Sequence, residues 1–96
     1  MRVMARITVP VESGNAAIRS GKIGSVLQAT AERWKPEAMY FAEFDGKRGA
    51  HVVFDMDDSS DLPAFAEPFF QEFNAEVSVV PAMDVEDMQK GLSGLT

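Results

Sequence analysis

The sequence lacks cysteine altogether, and it contains only one histidine, one tryptophan and one tyrosine. Without cysteine the chain can form no disulfide, no thiolate nucleophile and no cysteine-based metal site. One histidine among scattered carboxylates does not supply the ligands of a zinc or iron centre. We therefore expect no metal and no cofactor.

Basic residues are also scarce, because 9 lysines and arginines face 15 acidic residues and give a formal net charge of −6. A nucleic-acid-binding face needs clustered basic residues, so nucleic acid is not an expected partner. No apolar run approaches the roughly 20 residues of a membrane span. Arg6 also interrupts the N-terminal segment before a signal-peptide core forms. We expect a cytoplasmic protein with no membrane partner.

The length of 96 residues predicts a single domain over residues 1–96. A core this small cannot be divided and still offset the entropy of the chain. A chain of this size buries only roughly 60–65% of its unfolded surface. Self-association is therefore a natural way to gain stability.

The most strongly patterned stretch is a hairpin. Two runs rich in β-branched and aromatic residues, 37–44 and 50–56, flank a turn at 45–49. Asp45 and Gly46 tolerate the positive φ angles that a tight turn requires. These two strands are predicted to form the centre of an antiparallel sheet.

Two further strands are predicted outside the hairpin. Residues 2–9 alternate between apolar and polar side chains, and Pro10 ends the run. Residues 75–82 are rich in valine and form the fourth strand.

The first helix is predicted over residues 15–34, after a turn at 13–15. Gly21 and Gly24 weaken it, each by about 1 kcal/mol against alanine. We expect either a break before Lys22 or a close approach to a neighbour.

The second helix follows a polar turn at 57–60 whose two serines are expected to cap it, with Pro63 in its first turn. Pro68 removes an interior hydrogen bond, so we predict a kink near Ala64. This kink is expected to displace Phe69 and Phe70 from the apolar stripe.

A short amphipathic helix closes the chain. Asp84 is predicted to cap it, with Asp87 completing a capping box. Its apolar face is expected to dock on the body or on a partner chain, while Gly91, Gly94 and Thr96 fray.

The element order β-α-β-β-α-β predicts an α+β, ferredoxin-like fold. Four antiparallel strands then carry both helices on one face, with the short C-terminal helix added. Strand alternation places apolar and polar side chains together on the other, open face: Met4, Arg6, Tyr40, His51, Val53, Asp55, Glu76, Ser78 and Val80. This mixture favours a two-fold dimer whose sheets meet and enclose a cavity.

Four segments carry a resemblance to a known family: 35–41, 45–48, 53–70 and 74–81. Together they resemble small uncharacterised bacterial proteins of the dimeric α/β-barrel superfamily. The resemblance implies the ferredoxin-like fold and a homodimer. It implies no single activity, because the superfamily includes cofactor-free monooxygenases, muconolactone isomerases, haem-binding enzymes and ligand-sensing domains.

His51 is the candidate catalytic residue, since histidine exchanges protons near neutral pH. The alternative interpretation is a histidine that is hydrogen-bonded at a sheet or dimer interface. Asp55 lies four residues along the same strand, roughly 13 Å away at about 3.3 Å per residue. The two residues cannot form a hydrogen-bonded dyad by themselves.

The candidate ligand-binding residues are Arg6, Tyr40, Asp55 and Ser78. Arg6 can bind a carboxylate or enolate through its fork of donors, or it can pair with Glu76 or Asp55 across the sheet. Tyr40 can donate to a ligand oxygen, or line the barrel wall.

The leading hypothesis is a homodimer that binds a small aromatic or carboxylated metabolite. The first alternative is a cofactor-independent monooxygenase or isomerase, with His51 as acid or base and Arg6 or Tyr40 at the developing oxyanion. The second alternative is a structural or interaction module whose open face mediates assembly alone.

Overall fold

The computed structural model describes residues 1–95. Within this range the chain forms eight elements, in the order β1 Arg2–Val9, α1 Val11–Ser20, α2 Lys22–Trp34, β2 Ala38–Phe44, β3 Lys47–Asp55, α3 Asp61–Phe73, β4 Glu76–Pro81 and α4 Val85–Ser93. The fourth helix follows the strand that completes the predicted β-α-β-β-α-β order.

The four strands form one sheet in the order β2-β3-β1-β4, and each neighbouring pair is antiparallel. The predicted α+β, ferredoxin-like fold is therefore confirmed. The predicted central position of the hairpin is wrong, because β2 lies at one edge and the two central strands are β3 and β1. The smallest dimension of the molecule is 18 Å. This thickness fits one sheet and one layer of helices, since packed layers lie about 10 Å apart. In the described chain, the second face of the sheet has no covering layer.

The core lies between the sheet and the helices. Alternate residues of β1 and β3 are buried, as expected for strands that are covered on one face. Phe65 of α3 stacks on Phe54 of β3, with ring centroids 4.5 Å apart. Phe69 and Phe73 extend this cluster along α3.

The hairpin turn is shorter than predicted. Only Asp45 and Gly46 connect the two strands, with φ angles of 53° and 78°. Positive φ at both central residues matches the twist of antiparallel strands, so a two-residue loop suffices. Lys47 and Arg48 therefore belong to β3 rather than to the turn.

The first helix starts earlier than predicted, directly after Pro10, so the predicted turn at 13–15 is wrong. Gly14 is helical, and a Cβ atom there would lie 2.7 Å from Nη1 of Arg48. Ser13 donates a 2.6 Å hydrogen bond to the carbonyl of Phe73. These tertiary contacts override the local turn signal. The break before Lys22 is confirmed, because Gly21 takes a φ of 77° between α1 and α2.

The third helix runs through Pro68 without interruption, and Ser60 makes no side-chain cap. The predicted displacement of Phe69 is wrong, because Phe69 is only 1% exposed. Burying each large apolar side chain stabilises the protein by about 1.5–3 kcal/mol. Several such side chains on α3 offset the roughly 3 kcal/mol that an interior proline costs.

The predicted capping box of α4 is confirmed, since Asp84 and Asp87 each accept from the other's backbone N–H. Arg2 contacts both carboxylates, at 3.4 and 3.2 Å, and so holds the start of α4 at the end of β1. None of the α4 residues is buried. Gly91, predicted to fray, lies inside the helix, and Thr96 lies outside the described residues.

Replacing Asp84 with alanine is expected to speed amide hydrogen exchange in α4 by about fivefold at neutral pH. The backbone N–H of Asp87 lowers the pKa of Asp84. Because this pKa is lowered, the charged cap stabilises α4 fully at pH values above the ordinary pKa of aspartate. The stabilisation is lost as the pH falls through the lowered pKa of Asp84 in the folded state. Asp84→Asn keeps the acceptor and should keep slow exchange while losing this pH dependence. Wild-type exchange rates in Asp84→Ala would contradict the account.

Candidate functional site

Four of the five predicted site residues lie in one row across the sheet. Tyr40 of β2 pairs with His51 of β3, His51 pairs with Arg6 of β1, and Arg6 pairs with Ser78 of β4. Directly opposite side chains in such a row lie about 4.5–5.5 Å apart at Cβ. We call these four residues the polar row. They occupy the open face, away from the helices.

Asp55 does not join the polar row. Its register partner is Arg2, and its carboxylate accepts a 2.9 Å hydrogen bond from the N-terminal ammonium of Met1. This contact lowers the pKa of Asp55. The structure therefore engages Asp55 at the end of the sheet, apart from His51.

Arg6 forms no ion pair with Glu76 or Asp55, or with any other carboxylate in residues 1–95. Instead its guanidinium carbon lies 4.2 Å from the ring centroid of Phe44. A cation above an aromatic face is attracted to the ring without losing its hydrogen-bond donors. The fork of Arg6 thus stays available for an external carboxylate.

Phe44 belongs to this site although the sequence did not single it out. Its ring meets the His51 ring edge-on at 5.0 Å between centroids. The ring also lies on Gly49, where a Cβ atom would be 2.0 Å from Cδ2 of Phe44. An isolated glycine inside a strand often marks such a close approach, so Gly49 was the available signal.

A pocket of about 360 Å³ opens beside Arg6 on this face. Thr8, Glu76 and Ser78 border it, together with Asp45 and Lys47 of the hairpin end. The pocket is polar and contains both signs of charge. It suits a small polar molecule with an anionic group near Arg6.

An apolar row runs beside the polar row and consists of Ala38, Val53, Met4 and Val80. Met4 is 39% exposed and Val80 is 50% exposed. The open face therefore combines a polar row with an adjacent apolar row, as predicted from strand alternation.

A second, larger cavity of about 550 Å³ lies on the opposite side of the sheet, and the sequence did not predict it. It separates the hairpin from α1 and α2, and its walls are mostly apolar. Glu43, Lys47 and Arg48 stand at its rim. We call it the helix-side cavity. It arises because the helices do not reach β2, which leaves Phe41 60% exposed.

In the part of the chain that the structure describes, no three histidine or carboxylate side chains are grouped to hold a metal ion. None of the helices there has the length and hydropathy needed to cross a membrane.

The fold and the open face together define a ferredoxin-like α+β protein with a candidate site on an uncovered sheet. Residues 4–96 match the family described as "Domain of unknown function (DUF3303)". The chain belongs to this family.

Similar solved structures include a designed protein and a natural one. The de novo designed protein Ferredog-Diesel has a TM-score of 0.52 and 15% sequence identity, over 84% of this chain and 85% of its own. A Deinococcus radiodurans protein, named as a candidate antibiotic biosynthesis monooxygenase, has a TM-score of 0.46 and 12% identity, over 88% of this chain and 95% of its own. These similarities concern the fold alone. A comparison with curated proteins gives no significant match.

Proposed function

We propose that this protein is a homodimer that binds a small carboxylated or aromatic metabolite on its open sheet face. One observation carries the proposal. Arg6 stands in the middle of the polar row, on an uncovered face, with no carboxylate partner among residues 1–95. An arginine placed in this way presents a fork of donors that matches a carboxylate.

The neighbours of Arg6 suit the rest of such a ligand. Ser78 lies beside it in register and can donate or accept a hydrogen bond. Phe44 offers an aromatic surface, and Tyr40 can donate to a ligand oxygen at the far end of the row. The role of Asp55 in ligand binding stays a prediction, because its carboxylate is engaged by the N-terminus.

The apolar row supports a dimer through the same face. A two-fold axis brings identical patches together, so the apolar row of one subunit would meet that of its partner. Covering it would remove exposed apolar surface of Met4 and Val80 from water. The polar rows would then border an enclosed space between the two sheets.

A cofactor-independent monooxygenase or isomerase is the second candidate function. It is favoured by the pairing of His51 with Arg6 and by the contact of His51 with Phe44. In such an enzyme His51 would move the proton, and Arg6 or Tyr40 would hold the oxyanion. A structural module that only assembles is the remaining alternative, and it would show a dry interface without ligand.

Titration with benzoate, followed by backbone amide NMR, tests the proposal. Benzoate should shift the amide signals of Arg6, His51 and Ser78, while benzyl alcohol, which lacks the carboxylate, should bind far more weakly. Arg6→Gln should weaken benzoate binding by about tenfold or more, since hydrogen bonds to charged groups contribute about 1.5–3 kcal/mol.

Arg33→Gln is the matched control, because Arg33 also lies over an aromatic ring, that of Trp34 at 4.9 Å, but on α2. This variant should bind benzoate like the wild type. Equal binding by Arg6→Gln and the wild type would contradict the proposal.

A further inference from the structure

The helix-side cavity is open to solvent, because Phe41 and Val11 on its walls are 60% and 51% exposed. Its volume of about 550 Å³ lies within the range of about 300–1,000 Å³ that is typical of small-molecule sites. The cavity is therefore large enough to hold a small molecule.

The walls of the cavity favour an apolar, ring-bearing occupant. Ile23 and Leu27 of α2 are partly exposed and supply aliphatic surface, and Phe41 of β2 supplies aromatic surface, while the buried Phe69 and Phe73 form the floor. Walls of this kind offer water few hydrogen-bond partners. Aromatic rings pack well against phenylalanine edges and faces.

The mouth of the cavity carries a positive group that is held in place. Arg48 donates to Oδ1 of Asn15 at 3.0 Å and to the carbonyl of Val11 at 3.4 Å. Gly14 makes room for it, because a Cβ atom there would lie 2.7 Å from Nη1. Arg48 has no ion pair among residues 1–95. Because arginine has five N–H donors, the Arg48 guanidinium retains donors that can bind an anion.

The only acidic side chain that lines the cavity in residues 1–95 is engaged elsewhere. Glu43 lies opposite Arg48 in the hairpin register, but its carboxylate accepts a 2.6 Å hydrogen bond from the backbone N–H of Gly46. Lys47 borders this rim as well as the pocket on the open face, and it adds a second positive charge between the two sites. The mouth thus carries a net positive charge in a chain whose total charge is −6.

We infer that the helix-side cavity binds a molecule with an aromatic body and one anionic head group. The body lies against Phe41 and Leu27, and the head group accepts hydrogen bonds from Arg48. This site is separate from the one on the open face, because alternate residues of β1 serve the two sides: Ile7 lines the cavity, while Arg6 lies in the polar row. It therefore does not depend on the dimer or on Arg6.

Two fluorescent probes that differ only in charge test this inference. 8-Anilinonaphthalene-1-sulfonate carries a sulfonate, and N-phenyl-1-naphthylamine has the same rings without it. The wild type should bind both, with one molecule per chain. Arg48→Gln should weaken binding of the sulfonate by about three- to tenfold and change that of the neutral probe by less than about twofold. Arg48→Lys should retain most of the sulfonate binding.

Val11→Trp places a large ring at the mouth of the cavity. Val11 is 51% exposed, so its replacement leaves the core intact. It should reduce the binding of both probes at least about tenfold. Val85→Trp is the matched control, because Val85 is also an exposed valine at the first position of a helix, that of α4. It should bind like the wild type, and unchanged near-ultraviolet circular dichroism should show that each variant is folded.

Three results would overturn the inference. Val11→Trp could bind both probes like the wild type, which would place them elsewhere. Arg48→Gln could weaken both probes equally, which would remove the anionic head group from the proposal. Val85→Trp could change probe binding as strongly as Val11→Trp, which would show that the effect does not come from the mouth of the cavity.

Discussion

Phe65→Ala is expected to lower the free energy of unfolding by about 3–5 kcal/mol, the typical result of truncating a buried aromatic residue. Phe65 is 1% exposed and lies at the centre of the aromatic cluster, 4.5 Å from Phe54 and 5.6 Å from Phe69 between centroids. Its loss leaves a cavity that the neighbouring rings fill only in part. Because the free energy of unfolding of a small domain is about 5–15 kcal/mol, this substitution would remove a large part of it.

Phe70→Ala is the control on the same helix, since Phe70 is 42% exposed. It should cost less than about 1 kcal/mol. Urea unfolding of both variants at one fixed protein concentration measures the difference, because dimerisation makes stability depend on concentration. Equal losses would show that the core does not lie between α3 and the sheet.

Met4→Asp is expected to weaken the proposed dimer at least about 100-fold. Met4 lies in the apolar row between Val53 and Val80 and is 39% exposed in the single chain. In a face-to-face dimer an aspartate here would be buried without a partner, and an unpaired buried charge costs about 3 kcal/mol or more. The single chain should still fold, because the side chain points away from the core.

Ile18→Asp provides the control, since Ile18 is 50% exposed on α1, on the other side of the sheet. It should associate like the wild type. Light scattering over a dilution series would measure both dissociation constants. Similar association of the two variants would remove the open face as the interface.

Much of the fold followed from short-range rules. Side chains alternate along a strand, so Ala5 and Ile7 had to share one face and Arg6 had to take the other. The same alternation in β3 and β4 placed His51 and Ser78 with Arg6, and the antiparallel register then aligned them. This part of the candidate site was predictable because it depends only on the alternation of side chains between the two faces of the sheet.

The errors have a common cause, which is that tertiary contacts override local signals. The turn predicted at 13–15 is helical because Gly14 packs against Arg48. Phe69 stays in the apolar stripe despite Pro68, because its burial outweighs the missing hydrogen bond. The ring of Phe44 packs on Gly49. No sequence pattern within either strand specifies this side-chain conformation.

The helix-side cavity was also beyond the sequence pattern. Phe41 follows Tyr40 in β2 and so lies on the helix side, yet it is 60% exposed. How far a helix layer extends across a sheet depends on the packing of whole elements, so neither helical nor strand periodicity reports it.

The central claim is that the open sheet face both joins two chains and binds a carboxylated ligand. Sedimentation equilibrium of the unmodified protein, with and without benzoate, tests it most directly. We predict a mass that rises with protein concentration towards twice the 10.5 kDa of the chain. Benzoate should shift this rise to lower protein concentrations, because a ligand enclosed between the sheets stabilises the associated state. A mass of 10.5 kDa at every concentration, unchanged by benzoate, would contradict the account.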